Sequence, residues 1–495
     1  MALIRLDLGD GGGSSVVAAA GGPIPALRHL LDHLQDPPLA LVTGAAGGSG
    51  APGTARCAAV GVSPLSGAVA ETRAEGPFAA GLRAAGVTGV VLHGRAARPV
   101  WVVVSAGRAW TEPADDLWGL ETGPATDRLL DRYGSGAAVA VIGPAGERQI
   151  PYASIVTCRH HPLPRLGLGA DLGARRVKAV VAVGSAPIPV ASPAALDAVR
   201  ASYMDAENTL TAWQHDLPGF GVWDGEPGYA PVAGFRDTTR RGGVAVAPVA
   251  ASGVASCPGC PTDCIKLYAG AGLHQEALAM LGPNAGTDPW PLLSRCEQLG
   301  LDPVEVGARL AGPPVTSKGV AIPPFDPRVQ PNLGLAYAVS PIGPRYDMIE
   351  HDLDFDPELG LPASFPEMRA LGVTVPSPRG TLDVFRTAQL MRLWSGLDAL
   401  GVCVFAATPT RPLTLALVAD LVAAVTGTRP DVLALGGTRL RLMFEVNRRL
   451  RVPASADTLP AVFFDEPVRA GRYRGAVLDR PSFATAVASL RATLS

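Results

Sequence analysis

Over the first 185 or so residues, apolar positions come in short runs cut by glycine: "LALVTG", "CAAVGVS", "GVVLHG", "PVWVVVS", "AAVAVIG" and "VKAVVAVG". Runs of this length, rich in valine and bounded by turn residues, predict buried strands and a sheet-rich region. The pattern changes around Pro187 to Pro193. In "SPAALDAVRASYMDAENTLTAW" the apolar residues recur at intervals of three and four behind a serine and a proline, which predicts a helix. "HQEALAMLG", "PVEVGARLA", "TLDVFRTAQLMRLWSGLDAL" and "LTLALVADLVAAVTG" predict further helices, joined by proline-rich loops such as "AIPPFDPRVQP" and "TVPSPRG". The reading is an α+β chain with a sheet-rich domain over 1–187 and two mainly helical domains over 188–345 and 346–495. No repeat at solenoid periods stands out. One local echo does: "EQLGLD" (297–302) and "DALGVC" (398–403) each follow a helical run. Each would set an acid and a second liganding group about one turn apart at a helix end.

Composition narrows the function classes. With 495 residues and 47% hydrophobic content the core needs no disulfides. Seven cysteines, an odd number, in a chain without a leader-like start point to a reducing, cytoplasmic setting. A net charge of -2 and the lack of a basic block argue against nucleic acid as a partner. No apolar run approaches the roughly 18 residues of a membrane span.

The densest chemistry is "SCPGCPTDC". Cys257, Cys260 and Cys264 form C-x-x-C-x-x-x-C, a spacing that lets one loop turning into a helix aim three sulfurs at one point. Thiolates that close repel unless a metal neutralises them, and soft sulfur selects iron–sulfur clusters or zinc. Cys403 in "DALGVC" is the strongest fourth ligand; Cys57, Cys158 and Cys296 are less marked. A local triplet plus one remote cysteine favours a 4Fe-4S cluster over zinc, whose structural sites use two separated pairs. Zinc and simply buried thiols stay as alternatives.

With this cysteine framework, the chain resembles a short and divergent member of the aldehyde ferredoxin oxidoreductase family. The colinear segments are "RCAAVGVSPLSG", "GPFAAGLRAAGVTGVVLHGRAARPVWV", "IGPAGERQIPYASI", "RLGLGADLGARRVKAVVAVG", "HQEALAMLGPNAG", "CEQLGLD" and "FEVNRRLRVPASADTLP". The resemblance implies a sheet domain serving as base for two pterins, covered by two helical domains. The pterins chelate one tungsten or molybdenum through four sulfurs, with magnesium as a bridge between their phosphates. A 4Fe-4S cluster lies nearby. The implied reaction turns an aldehyde or related carbonyl-level substrate and water into an acid and passes electrons to a ferredoxin-like acceptor. A homodimer is the implied assembly.

The same resemblance assigns site residues. Arg56 and Arg165 suit pterin phosphates, and Gly167 and Gly169 let backbone N–H groups approach an anion. Asp398, Glu297 and Asp302 hold the aminopyrimidine edges of the pterins. Gly76 and Val404 complete the cofactor-binding set. Glu276 is the candidate for handling protons near the metal, and Tyr346 and His351 are candidates to compensate for a late histidine that has no counterpart here. The main departure is "ETRAEG", where Arg73 replaces an asparagine of the family and Glu75 a glycine. Arg73 either occludes a pterin or substitutes for a contact. If both side chains close the pocket, the chain is a non-catalytic descendant that keeps its cluster for electron transfer or structure.

Overall fold

The computed structural model describes the chain apart from residues 10–12, 211–232, 239–250, 269, 273–274, 286–288, 346, 359–361, 363–364, 379 and 408–410. The valine-rich runs form two six-stranded sheets. The first contains β1 (Ala2–Asp7), β2 (Ser14–Ala18), β3 (Leu39–Thr43), β4 (Cys57–Val62), β5 (Val69–Ala74) and β6 (Val87–His93), in the order β2-β1-β6-β3-β4-β5. The second contains β7 (Val100–Ser105), β8 (Arg108–Pro113), β9 (Ala138–Ile142), β10 (Ile155–Thr157), β11 (His161–Leu163) and β12 (Val177–Val183), in the order β8-β7-β12-β9-β10-β11.

Adding six to each strand number of the first sheet gives the second, and the directions agree. β1 runs parallel to β6 as β7 does to β12, and the other neighbours are antiparallel in both sheets. The sequence carries this duplication only in its helix-strand units, "FAAGLRAAGVTGVVLHG" and "LGADLGARRVKAVVAVG". There Leu82 matches Leu172, Val87 matches Val177, Val90 matches Val180 and Gly94 matches Gly184.

Strand alternation explains how the sheets pack. Val102, Val104, Ala140, Ile142 and Val180 share one core with Leu41, Val60 and Val90 of the first sheet. The alternate residues Trp101, Val103, Val139, Val141 and Val181 pack on the other face against helix Thr122–Tyr133. Strands covered on both sides are apolar throughout, which is why they read as unbroken runs.

From Pro193 onward helices dominate, and a separate core holds them together. The fold is therefore α+β, with sheets first and helices after. No helix among the described residues is long and apolar enough to cross a membrane.

The two echo motifs sit at equivalent places. Helix Trp290–Leu299 ends on Gly300 (φ +70°) and helix Val384–Leu400 on Gly401 (φ +75°), both left-handed caps. Each cap is pressed against the loop that leaves an equivalent strand, β9 or β3. A Cβ on Gly143 would overlap the Leu299 backbone, and one on Gly44 would overlap that of Leu400. Ser154 N–H donates to Gly300 O at 2.8 Å, and Ala46 N–H to Leu400 O at 3.2 Å. The helix ends are thus fixed on the sheets by backbone contact, and the residues just after them face the space between sheets and helices.

Candidate functional site: four cysteines and a buried charge cluster

That space is a cavity of about 1090 Å³, open mouth included. Cys257, Cys260, Cys264 and Cys403 all line it, together with Arg56, Arg73, Glu75, Asp302, Arg345 and Asp347. The loop carrying the triplet turns at Gly259 (φ +76°) and Asp263 (φ +45°). It then enters strand Lys266–Tyr268, which pairs with Gly253–Val254, where the sequence predicts a helix. Two residues in the left-handed region and a strand partner on each side account for that correction. Thr262 ties the loop to Tyr203 of helix Pro193–Leu210 at 3.0 Å. On the other wall Cys403 follows the Gly401 cap, and its N–H donates to Gly53 O at 2.7 Å.

Burial pushes the thiols of Cys257, Cys264 and Cys403 up, and neighbouring thiols and Glu75 add to the effect. A positively charged group is needed to draw them into the thiolate form. Among the described residues no three His, Cys, Asp or Glu side chains are grouped to hold a single metal ion. The four sulfurs border one cavity instead. A polynuclear cluster, in which each thiolate binds its own iron, suits such a donor set.

Beside the cysteines lies a buried network of four arginines and four carboxylates. Arg56 reaches Glu75 at 2.6 Å and Asp398 at 2.6 Å. Arg73 bonds the other Asp398 oxygen and stands 3.6 Å from Asp347, which Arg345 holds at 2.9 Å. Arg439 bonds Glu71 at 2.5 Å and lies 3.5 Å from Asp398. Burial alone would raise the acids. Arg73, Arg439 and Arg56 outweigh it at Asp398, and Arg345 and Arg73 at Asp347, so both carboxyls lie below their usual range. Arg56 does the same for Glu75.

Asp302 is the exception. It is fully buried, and Oδ1 caps the helix Pro303–Leu310 by accepting from Val304 N–H at 3.0 Å. Oδ2 is buried without a hydrogen-bond partner. Burial pushes this carboxyl up to about 6, against the pull of Arg165. A raised carboxyl costs stability as pH climbs from the unfolded value near 4 to the folded value, and the cost persists above it. Asp302→Asn keeps the cap and drops the charge. In protein stripped of cofactors it is expected to raise unfolding free energy by about 2–3 kcal/mol at pH 7 and to change little near pH 4. Urea titrations at the two pH values check this.

The remaining sequence-predicted residues divide. Gly76 N–H points at the Cys257 sulfur. Val404 is buried next to Cys403. Arg165 is fully buried behind Asp302, with its Nη2 donating to the carbonyls of Ala321 and Pro344. Gly167 and Gly169 are required by the chain itself, since a Cβ would overlap the backbone of Pro151 or Ser154, and neither lines the cavity. Glu297 accepts from His160 Nδ1 at 2.8 Å and from Gly272 N–H at 3.0 Å, outside the cavity lining. His351 lies against Phe325, ring centroids 4.4 Å apart, and does not line the cavity. Tyr346 lies outside the described residues, as does the Glu276 side chain; Ala277, the next residue, lines the cavity. Sequence reasoning missed Glu71, Arg345, Asp347 and Arg439. The one signal is "PRYD" (344–347), in which Tyr346 is flanked by Arg345 and Asp347, the buried pair.

The donor sets can be weighed against the cofactors. Four thiols around one cavity fit an iron–sulfur cluster. On the Asp302 side, an unpaired carboxylate oxygen fits the N–H edge of a pterin, and the unpartnered nitrogens Arg73 Nε and Arg345 Nη1 suit an anionic group. The Asp398 side does not fit as it stands, because protein arginines hold both carboxylate oxygens.

Comparison with known proteins agrees with this framework. Residues 25–184 match the aldehyde ferredoxin oxidoreductase N-terminal domain, and residues 314–490 match domains 2 and 3 of the same family. The tungsten-containing aldehyde ferredoxin oxidoreductase of Pyrococcus furiosus is 26% identical over 321 residues, covering 60% of this chain and 53% of the relative. Its Thermococcus kodakarensis counterpart is 25% identical over the same length and shares of the two chains. The WOR-like subunit of an aliphatic sulfonate oxidoreductase from Pyrococcus furiosus is 29% identical over 121 residues, 22% of this chain and 19% of that one. The chain thus spans about half the length of the curated relatives it matches. Among solved structures, the active-site complex BamBC of benzoyl coenzyme A reductase with 1,5-dienoyl-CoA superposes with a TM-score of 0.75 at 17% identity. That match covers 99% of this chain and 97% of the other, a likeness of fold. With both ends of its architecture matched in order, the chain is an oxidoreductase-family protein and belongs to the aldehyde ferredoxin oxidoreductase family.

Proposed function

We propose that the protein oxidises an aldehyde or related carbonyl-level substrate at a tungsten or molybdenum pterin centre and passes the electrons through a 4Fe-4S cluster to a ferredoxin-like acceptor. The observation that supports this reading is the meeting of Cys257, Cys260, Cys264 and Cys403, from two distant segments, on a cavity that also presents Asp302. When bound, the metal centre and cluster supply the two-electron oxidation of aldehyde and water to acid and its division into single electrons. The chain's own residues bind and orient. Asp302 Oδ2 is free to accept an N–H or to hold a proton, Arg345 and Arg73 draw anionic groups, and the cysteines anchor the cluster. Glu276, in helix Gln275–Ala285, is the proposed proton handler, with Tyr346 as a further candidate; His351, packed on Phe325 off the cavity, is not placed for that role.

The pairing of Arg73 with Asp398 favours a second reading, a descendant that keeps the cluster but has lost the pterin. Anaerobically purified protein separates the two. The first reading expects about four irons and one tungsten or molybdenum per chain. Iron without either heavier metal would sink it in favour of the second.

A further inference from the structure

The buried network has an uneven effect on the two sides of the site. Beyond Arg73 lies a second cavity, of about 320 Å³, lined by Asp398, Arg439, Trp394, Met391 and Met348. Among the described residues, only Arg73 and Asp347 line both this space and the cysteine cavity, so their side chains form the wall between them. Trp394, buried on the second cavity, has an Nε1–H without a partner. A space behind the wall therefore holds an unused donor and the Asp398 carboxylate. The guanidinium of Arg73 is planar and offers N–H donors side by side, the same hydrogen-bonding face as an aminopyrimidine edge. It already occupies the Asp398 oxygen that such an edge would take.

We infer that Arg73 is a partition that closes the Asp398 side to a pterin by satisfying that carboxylate from within the chain. The wild-type protein then carries one pterin fewer than a form in which Arg73 is short. The inference rests on the proposed function only for the identity of the ligand. Removing Arg73 alone would leave the network with one carboxylate in excess. Removing Glu75 with it restores the balance and leaves Asp398 paired with Arg56. The test therefore uses the paired substitution Arg73→Asn with Glu75→Gly, and Glu75→Gly alone as control. Each protein is produced anaerobically in a tungstate-supplied host. Pterin released by oxidation is counted per chain by fluorescence, alongside iron.

The expected result is one additional pterin in the paired variant relative to wild type, with the iron count equal and the Glu75→Gly control at the wild-type pterin count. Counts of one and two support both this inference and the proposed function. Counts of zero and one support the partition and overturn the catalytic reading. Equal pterin counts, or a gain in the Glu75→Gly control, overturn the partition whatever the wild-type value. If the paired variant does not fold, Arg73→Ser with Glu75→Gln, which shortens the partition and keeps the charge balance, is the second variant and is read the same way, with Glu75→Gln alone as its control.

Discussion

Replacing Cys264 by alanine is expected to lower the iron content from about four per chain to below about one and to abolish the charge-transfer absorption of the cluster. Reduction of any one-electron acceptor should fall with it. The expectation follows from position. Cys264 is the last sulfur before the chain commits to strand Lys266–Tyr268, and it faces the same cavity as Cys257, Cys260 and Cys403. No other thiol can take its place. Cys57 and Cys296 are buried elsewhere, and Cys158 does not line the cavity. Cys296→Ala is thus the matched control and should retain its iron. Iron retained in Cys264→Ala, or lost equally in Cys296→Ala, would show that the ligand set is wrong.

The second large effect is on stability. Asp398→Ala should cost about 3–5 kcal/mol, because it leaves Arg56 and Arg73 facing a point from which their shared counter-charge has gone. Both guanidiniums are almost fully buried, with side chains 4% exposed, so water cannot replace the carboxylate. Asp398→Asn keeps the shape but not the charge and should fall between alanine and wild type. Glu445 gives the contrast. It pairs with Arg448 and Arg449 on the same helix as Arg439 but on the surface, and Glu445→Ala should leave the unfolding transition where it is. Denaturant unfolding of the four proteins checks the ranking. A wild-type-like transition for Asp398→Ala would mean that the arginines find water or another acid.

What the sequence reveals depends on how far each interaction reaches along the chain. The cysteine triplet and Cys403 are legible because thiols are rare here and soft-metal chemistry restricts their use. The helix-end acids are legible because a glycine cap follows each one at fixed spacing. The network of Glu71, Arg345, Asp347 and Arg439 is not legible. A buried ion pair uses the same residue types as a solvated surface, and only the fold reveals that water is absent. The strands of the second sheet are legible, as in "PVWVVVS" and "VKAVVAVG", but that this sheet repeats the first is not. Its strands keep the alternation of the first but only a few of its residues, such as Leu172, Val177 and Gly184. The turn of the triplet loop into a strand depends on Asp263 adopting a left-handed backbone, for which aspartate is tolerated but which its identity does not announce.

The glycine contacts that hold the helix ends on the sheets also bear on how the protein is put together. Gly143 against Leu299 and Gly44 against Leu400 are backbone meeting backbone, with no side chain to swing aside. Once both have closed, neither helix end can slide on its sheet, so the places of Asp302 and Cys403 just beyond them are set by backbone and not by side-chain packing. A larger residue at Gly44 or Gly143 would therefore shift a wall of the cavity while leaving every residue that lines it unchanged.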